Sequence, residues 1–128
     1  MTMGGVLWVA AGGALGSVAR FWLAAAVAAL TGPAFPWGTL LINVGGSFLI
    51  GWFGAMTGLR GAWDVPPDIR LFVLVGICGG FTTFSSFSLQ TVELLAAGEV
   101  LRAGGYVVGS VVLCLLATWA GLAAGRGA

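Results

Sequence analysis

The sequence predicts an all-α membrane protein whose chain crosses the bilayer four times. Its 128 residues are 59% hydrophobic and only 7% charged, with a mean hydropathy of +1.08, whereas soluble domains carry about a quarter charged residues. The few charges and the prolines also divide the chain into four apolar segments. Each is near the roughly 20 residues that a helix needs to cross about 30 Å of hydrocarbon.

The four segments follow one another with short connections. They are predicted to run from about Gly4 to Leu30, from Thr39 to Leu59, from Leu71 to Ala96 and from Gly105 to Gly125. Residues 31–38, 60–70 and 97–104 connect them. We expect residues 1–128 to form a single four-helix transmembrane domain, with glycines four residues apart allowing close packing on every helix. These pairs are Gly12/Gly16, Gly54/Gly58, Gly76/Gly80, Gly105/Gly109 and Gly121/Gly125.

The composition excludes several classes of function. A net charge of +1 provides no basic patch for a nucleic acid. The chain contains no histidine, and Cys78 and Cys114 lie within apolar runs, so neither a disulfide nor a metal centre built from side chains is predicted. A membrane-embedded enzyme would need a nucleophile with a base, or a metal site. We therefore do not expect an enzyme.

Polar side chains recur in three of the predicted spans. They are Thr39, Asn43 and Ser47 in the second, the hydroxyls of GGFTTFSSFS (79–88) in the third, and Tyr106, Ser110 and Thr118 in the fourth. Residues spaced by four share one helical face. Hydroxyls in hydrocarbon are costly unless they are hydrogen-bonded. Two explanations remain open, namely hydrogen bonds between helices or a path for a polar solute.

Arg20 and Asn43 are harder to explain by packing. A charge within a membrane span is by default a candidate functional site, and a mid-span amide has N–H groups in need of partners. Guanidinium, amide and hydroxyl donors suit an anion, as do the electropositive edges of phenylalanine rings. A cation path would favour acidic rings or carbonyl cages. Ordinary core packing is the alternative role for the three phenylalanines, Phe81, Phe84 and Phe87.

The third span is predicted to be interrupted. Gly79 and Gly80 are poor helix formers, and Thr82 and Thr83 compete with the backbone for hydrogen bonds. An interruption within a membrane must be buried in protein or face a cavity, and its carbonyls can bind a cation. Because four helices from so small a chain barely enclose a polar conduit, we expect a two-fold dimer.

Two motifs resemble a known family. PWGTLLINVGGS (36–47) and GICGGFTTFSSFS (76–88) are similar to the signature of the small bacterial fluoride channels, the Fluc (CrcB-type) family. GSVARF (16–21) fits the same pattern, and the resemblance covers the whole chain. It implies an antiparallel, dual-topology homodimer in the bacterial inner membrane, with two pores that passively export fluoride.

The resemblance also implies roles for individual residues. Asn43, Phe84 and Phe87 would lie along the pore, Thr82, Thr83 and Ser110 would form a polar track with Tyr106 nearby, and Arg20 would lie in an aqueous vestibule. Backbone carbonyls of Gly79 and Thr82 from both subunits would hold a structural sodium ion. Many family members carry a carboxylate where this chain has Gln90, so a role that depends on that carboxylate does not carry over.

Two other classes remain as alternatives. A small multidrug exporter also has four short spans, but it needs an acidic residue in the first span, where this chain has Arg20. A purely structural membrane subunit would explain the glycines and leave the polar residues unexplained. Arg60, Arg70 and Arg126 are predicted on the opposite side from Arg102, so the charge bias is small and is compatible with insertion in both orientations.

Overall fold

The computed structural model describes residues 1–127 as a bundle of helices. Helix α1 spans Met3–Thr31 and α2 spans Trp37–Met56. The third span comprises α3 (Pro67–Arg70), a π-helical segment (Leu71–Ile77), α4 (Cys78–Phe81) and α5 (Phe84–Ala96), and α6 spans Val100–Gly127. Four helical stretches, counting Pro67–Ala96 as one, are long and apolar enough to cross a membrane. The predicted all-helical, four-span architecture is thus compatible with the structure.

The helices form two pairs. Helix α1 packs along the N-terminal half of the third span, and α2 packs along α6. The turns at residues 32–36 and 97–99 lie at one end of the bundle, the turn end, because both border one cavity. The loop at residues 57–66 lies at the other end, the loop end, together with the start of α1 and the end of α6. A Cβ at Gly4 would lie 3.9 Å from Asp68, and one at Gly125 would lie 3.4 Å from the Met56 amide.

Glycines set the spacing within each pair. A Cβ added at Gly12 would collide with the Phe72 carbonyl, and one at Gly80 with the Gly13 carbonyl. In the other pair a Cβ at Gly121 would collide with the Phe48 carbonyl. The opposing atoms belong to the backbone, which cannot move aside as a flexible side chain can, so these positions require glycine.

Close packing was predicted on every helix, and two of the glycine pairs do not show it within one chain. Among residues 1–127, nothing lies within 4 Å of a Cβ placed at Gly54, Gly105 or Gly109. A Cβ at Gly58 would meet only carbonyl oxygens of its own preceding turn, and the Gly54 carbonyl oxygen would be 3.1 Å away. The four-residue spacing therefore identifies a contact only where a second helix happens to approach that face.

Three helix boundaries differ from the prediction by three residues or more, and one is the start of the third span, at Pro67 rather than near Leu71. Helix α6 begins at Val100, five residues early, because a single glycine, Gly98 with φ 79°, reverses the chain and leaves no need for a longer turn. The side chains of Glu99 and Arg102 pair at 3.6 Å across its start. Helix α2 ends at Met56 rather than near Leu59, and Thr57 then donates its hydroxyl to the Phe53 carbonyl at 2.7 Å.

The third span changes its backbone form along its length. The π-helical segment at Leu71–Ile77 has no counterpart in the sequence-based prediction. Gly79 and Gly80, which were expected to disrupt the helix, are both helical in α4. Helix α4 ends at Phe81, one residue after Gly80. Thr82 (φ −80°, ψ 154°) and Thr83 (φ −150°, ψ 112°) are extended, and α5 begins at Phe84. The two non-helical residues are therefore the threonines.

Candidate functional site

Asn43 holds the two extended residues of the third span in place. Its Oδ1 accepts a hydrogen bond from the Thr83 amide at 2.8 Å, and its Nδ2 donates to the Thr83 carbonyl at 3.1 Å. In a continuous helix the Thr83 amide would bind the Gly79 carbonyl, four residues earlier. A side-chain amide can replace that bond because it has the same donor and acceptor as a peptide group. Asn43 therefore gives both polar groups of Thr83 a partner outside a helix.

The two helix ends at the interruption are capped by polar side chains. At the end of α4 the Gly80 carbonyl accepts from Arg20 Nε at 3.0 Å and from Ser17 Oγ at 3.5 Å. A cation is favourable there because carbonyls at a helix C-terminus carry partial negative charge. At the start of α5, Thr83 Oγ1 accepts from the Ser86 amide at 3.1 Å. Sequence reasoning missed Ser17, although GSVARF places it three residues before Arg20.

A cavity of about 540 Å³, the central cavity, lies between α2, the third span and α6. Most of the residues predicted to form the pore or to hold the cation border it. They are Asn43, Gly79, Thr82, Thr83, Phe84, Phe87 and Ser110. Residues from three separate spans are thus brought to one place, as the polar stripes predicted. Arg20 and Tyr106 do not border it.

Ser110 is the unusual group in the central cavity. It is only 6% exposed, and its Oγ has no hydrogen-bond partner among residues 1–127. A buried hydroxyl without a partner costs about 1–3 kcal/mol, so such groups are rare. Asn43 also has a second Nδ2 proton beyond the one bound to Thr83. The cavity therefore offers donors to an occupant.

The two phenylalanines of the site differ in burial. Phe87 is 8% exposed and packs against Phe84 and Tyr106, with ring centroids 5.4 Å and 5.0 Å away. Phe84 is 77% exposed although it borders the central cavity. Core packing within one chain therefore accounts for Phe87 and leaves Phe84 unexplained. Tyr106 is fully buried, and its hydroxyl donates to Gln90 Oε1 at 2.8 Å.

A second cavity of about 790 Å³, the turn-end cavity, opens at the turn end of the bundle. Arg20 and Gln90 border it, and Thr83 borders both it and the central cavity, so the two cavities adjoin at Thr83. Among the described residues Arg20 has no carboxylate within 4 Å, so its charge is not neutralised by an ion pair. Arg20 thus lies in a cavity at the end of the bundle, and Asn43 lies further along.

Thr82 and Thr83 use their hydroxyls locally. Thr82 Oγ1 donates to the Cys78 carbonyl at 2.8 Å, within its own chain segment. Thr83 Oγ1 accepts from Ser86 and lies 3.3 Å from Ser85 Oγ. Both hydroxyls therefore form hydrogen bonds with backbone groups of the two helices that flank the interruption.

Comparison with known proteins gives a consistent result. Residues 7–122 match the family model described as CrcB-like protein, Camphor Resistance (CrcB). The chain is 61% identical over 115 residues to a Methylocella silvestris protein named fluoride-specific ion channel FluC, covering 90% of this chain and 88% of the relative. Proteins of the same name from Rhodospirillum rubrum and Opitutus terrae are 55% and 58% identical, each over 90% of this chain and 89% and 87% of their own length.

Proposed function

This chain belongs to the CrcB-like family, and we propose that it passes fluoride passively through two pores of an antiparallel homodimer. The family predicted from the two sequence motifs is confirmed by the match over residues 7–122. Its relatives are named as ion channels, so the chain is a multi-pass membrane protein with a channel function rather than an enzyme. We propose that residues 1–128 form one transmembrane domain.

The central cavity is the observation that carries the proposal. Fluoride is small and strongly hydrated, so a selective path must replace its water with closely placed donors. Ser110 contributes a buried hydroxyl without a partner, and Asn43 has an Nδ2 proton beyond the one bound to Thr83. The ring edges of Phe84 and Phe87 add electropositive carbon-bound hydrogens. Thr82 and Thr83 shape the same wall of the cavity.

Arg20 and Tyr106 act outside the central cavity. Arg20 supplies an unpaired positive charge to the turn-end cavity, which we propose to be the aqueous vestibule; Glu93 and the Glu99–Arg102 pair border it as well. Tyr106 supports the site from within the core, because it is fully buried against Phe87 and bonded to Gln90. Gln90 borders the turn-end cavity with a neutral amide, so it adds no charge to the proposed vestibule.

Exposure of Phe84 supports the dimer. Trp22 and Trp119 are exposed to a similar extent, as lipid-facing side chains are, but Phe84, which is 77% exposed, also borders a cavity with polar groups, and a second copy that covered it would keep lipid out of that cavity. Insertion in both orientations would make the two copies antiparallel. Each copy would then complete the pore of the other.

A sodium ion fits the interruption in the third span. The Thr83 amide binds Asn43 instead of the Gly79 carbonyl, which leaves that carbonyl without its helical partner. Residues 1–127 contain no cluster of three histidine, cysteine or acidic side chains that could hold a metal. We propose that backbone carbonyls of Gly79 and Thr82 from both subunits bind the ion, which would stabilise the dimer without being transported.

Fluoride efflux from liposomes that contain only this protein tests the proposal. We expect electrogenic fluoride flux without a proton or sodium gradient, and strong exclusion of chloride. Flux that requires a proton gradient would favour a small multidrug-type transporter, although Arg20 has the wrong charge for exchanging protons with cationic drugs. Absence of any flux would leave a structural membrane subunit.

A further inference from the structure

A third cavity lies at the loop end of the bundle, opposite the turn-end cavity. This loop-end cavity, of about 810 Å³, is bordered by Arg70, Asp64 and the loop around Thr57. Leu74 and Val75 border both it and the central cavity. The turn-end, central and loop-end cavities therefore follow one another from one end of the bundle to the other. They adjoin first at Thr83 and then at Leu74 and Val75.

Arg70 is held in the loop-end cavity by neutral acceptors. Its Nε donates to Thr57 Oγ1 at 3.0 Å, and one terminal nitrogen donates to the Gly54 carbonyl at 3.2 Å. Thr57 in turn donates to the Phe53 carbonyl at 2.7 Å, so the guanidinium is fixed to the C-terminus of α2. These bonds orient the side chain and leave its charge without a paired carboxylate.

The charge of Arg70 is not neutralised by an ion pair within the chain. Among residues 1–127 the ion pair found within 4 Å joins Arg102 to Glu99. Asp64 borders the same cavity as Arg70 but is exposed and does not pair with it. Arg70 is half-buried, so water screens its charge less than it screens that of Asp64.

Arg20 shows the same arrangement at the other end. Its Nε donates to the Gly80 carbonyl at the C-terminus of α4, and it too lacks a carboxylate partner among the described residues. Two half-buried guanidinium groups, each fixed to a helix C-terminus and each bordering a terminal cavity, thus lie at opposite ends of the row of cavities.

We propose that Arg70 supplies the positive charge that draws a small monovalent anion into the loop-end mouth of the pathway. The inference rests on the proposed function, with fluoride as the anion. A fixed charge at a narrow opening raises the local concentration of the opposite charge, and the effect is lost when salt screens it. Arg70 acts by its field, and its hydrogen bonds to α2 keep the charge at the mouth.

The test compares fluoride efflux at two ionic strengths. Arg70→Gln removes the charge and keeps an amide that can donate to Thr57 or Gly54, and Arg70→Lys keeps the charge. Arg126→Gln is the control, because Arg126 is exposed and borders none of the three cavities. Each variant is reconstituted in phosphatidylcholine vesicles with a large impermeant anion as the background salt. The screening length is about 30 Å at 0.01 M and about 3 Å at 1 M salt.

We expect Arg70→Gln to lower efflux by on the order of tenfold at the low ionic strength, with the difference closing at the high one. Arg70→Lys should retain most of the efflux, and Arg126→Gln should match the wild type. Efflux by Arg70→Gln equal to the wild type at low salt would overturn the inference. So would an equal loss at both salt concentrations, because the residue would then be only a cap on α2.

A second variant covers the case in which Arg70→Gln does not assemble. Asp64→Asn removes the negative charge from the same cavity without touching the bonds of Arg70. It should raise efflux at low salt and have no effect at high salt, and no change at low salt would overturn the inference. Wild-type efflux in the same vesicles tests the proposed function separately, since its failure is the absence of fluoride flux at either salt concentration.

Discussion

The two helix pairs of the bundle use the same packing and differ in backbone regularity. Helices α2 and α6 are each continuous, and glycines such as Gly121 bring their backbones together. Helix α1 meets the third span through glycines as well, but its partner passes from π-helix to α-helix and then to two extended residues. Glycine packing therefore does not itself create the site.

The site lies where the two pairs meet. Asn43 reaches from α2 to the third span and bonds both polar groups of Thr83, and Ser110 faces the same cavity from α6. Helices α2 and α6 thus supply the amide that holds Thr83 and a hydroxyl, that of Ser110, without a partner in the described chain. Packing and function can accordingly be separated by mutation.

The largest effect is expected from breaking the regular pair. Gly121→Ala places a Cβ against the Phe48 carbonyl, and neither backbone can move aside without separating the helices. We expect loss of folded protein, measured as the yield of a single species in size-exclusion chromatography after detergent extraction. Gly104→Ala on the same helix is the control, since nothing lies within 4 Å of its Cβ. Equal yields for the two variants would show that the glycine contact is dispensable.

Breaking the link between the pairs should abolish transport while leaving the fold. Asn43→Leu removes both hydrogen bonds to Thr83, and each buried polar group left without a partner costs about 1–3 kcal/mol. Without these bonds Thr83 is no longer held in its extended conformation beside the central cavity. We expect fluoride efflux to fall by at least about a hundredfold as a result. Thr91→Val, which loses one bond to the Phe87 carbonyl within α5 and borders neither the turn-end nor the central cavity, should retain efflux. Normal efflux by Asn43→Leu would place the ion path elsewhere.

The two phenylalanines sharpen the comparison, because only one of them belongs to the core. Phe84→Ile and Phe87→Ile keep apolar bulk and remove the electropositive ring edge, so both should lower efflux strongly. Phe87→Ile should also lower the thermal stability of the chain, by less than about 1.5 kcal/mol, since Phe87 is 8% exposed within one chain. Phe84 is 77% exposed within one chain, so Phe84→Ile should instead weaken the dimer. Unchanged efflux in both variants would return the two rings to a packing role.

The smallest effect is expected at Ser110, where transport and stability should move in different directions. Ser110→Ala removes a buried hydroxyl that has no partner in the described chain, so stability should stay equal or rise slightly. Efflux should fall by a few-fold if the hydroxyl contacts fluoride. Thr118→Val is the matched variant on α6, because it loses the bond to the Ser47 carbonyl and should cost about 1 kcal/mol without changing efflux. Full efflux by Ser110→Ala would remove that residue from the path.

Much of this arrangement was predictable from the sequence because hydropathy and spacing report it directly. Apolar length identified the four spans, and the four-residue spacing placed Asn43 on a polar face. The family was recognisable from residues that lie around one cavity. These features are local, and each depends on residues close together in the chain.

The features that could not be predicted depend on contacts between distant segments. Nothing in Leu71–Ile77 signals a π-helix, and Gly79 and Gly80 remain helical because the interruption is stabilised one turn later by Asn43. Arg70 belonged to a polar loop by composition, and only its bonds to Gly54 and Thr57 reveal its place in a cavity. Sequence alone marks such residues as polar and does not pair them.

The bond between Asn43 and Thr83 has a consequence for biosynthesis. Asn43 leaves the ribosome 40 residues before Thr83, so the second span is already made when the third is inserted. Until the two helix pairs associate, the Thr83 amide has no tertiary partner. A helical hydrogen bond to the Gly79 carbonyl then has the lowest free energy in lipid. We expect the newly inserted third span to be an uninterrupted helix. An ion path would then exist only in the assembled protein, and a half-made chain would not make the membrane leaky.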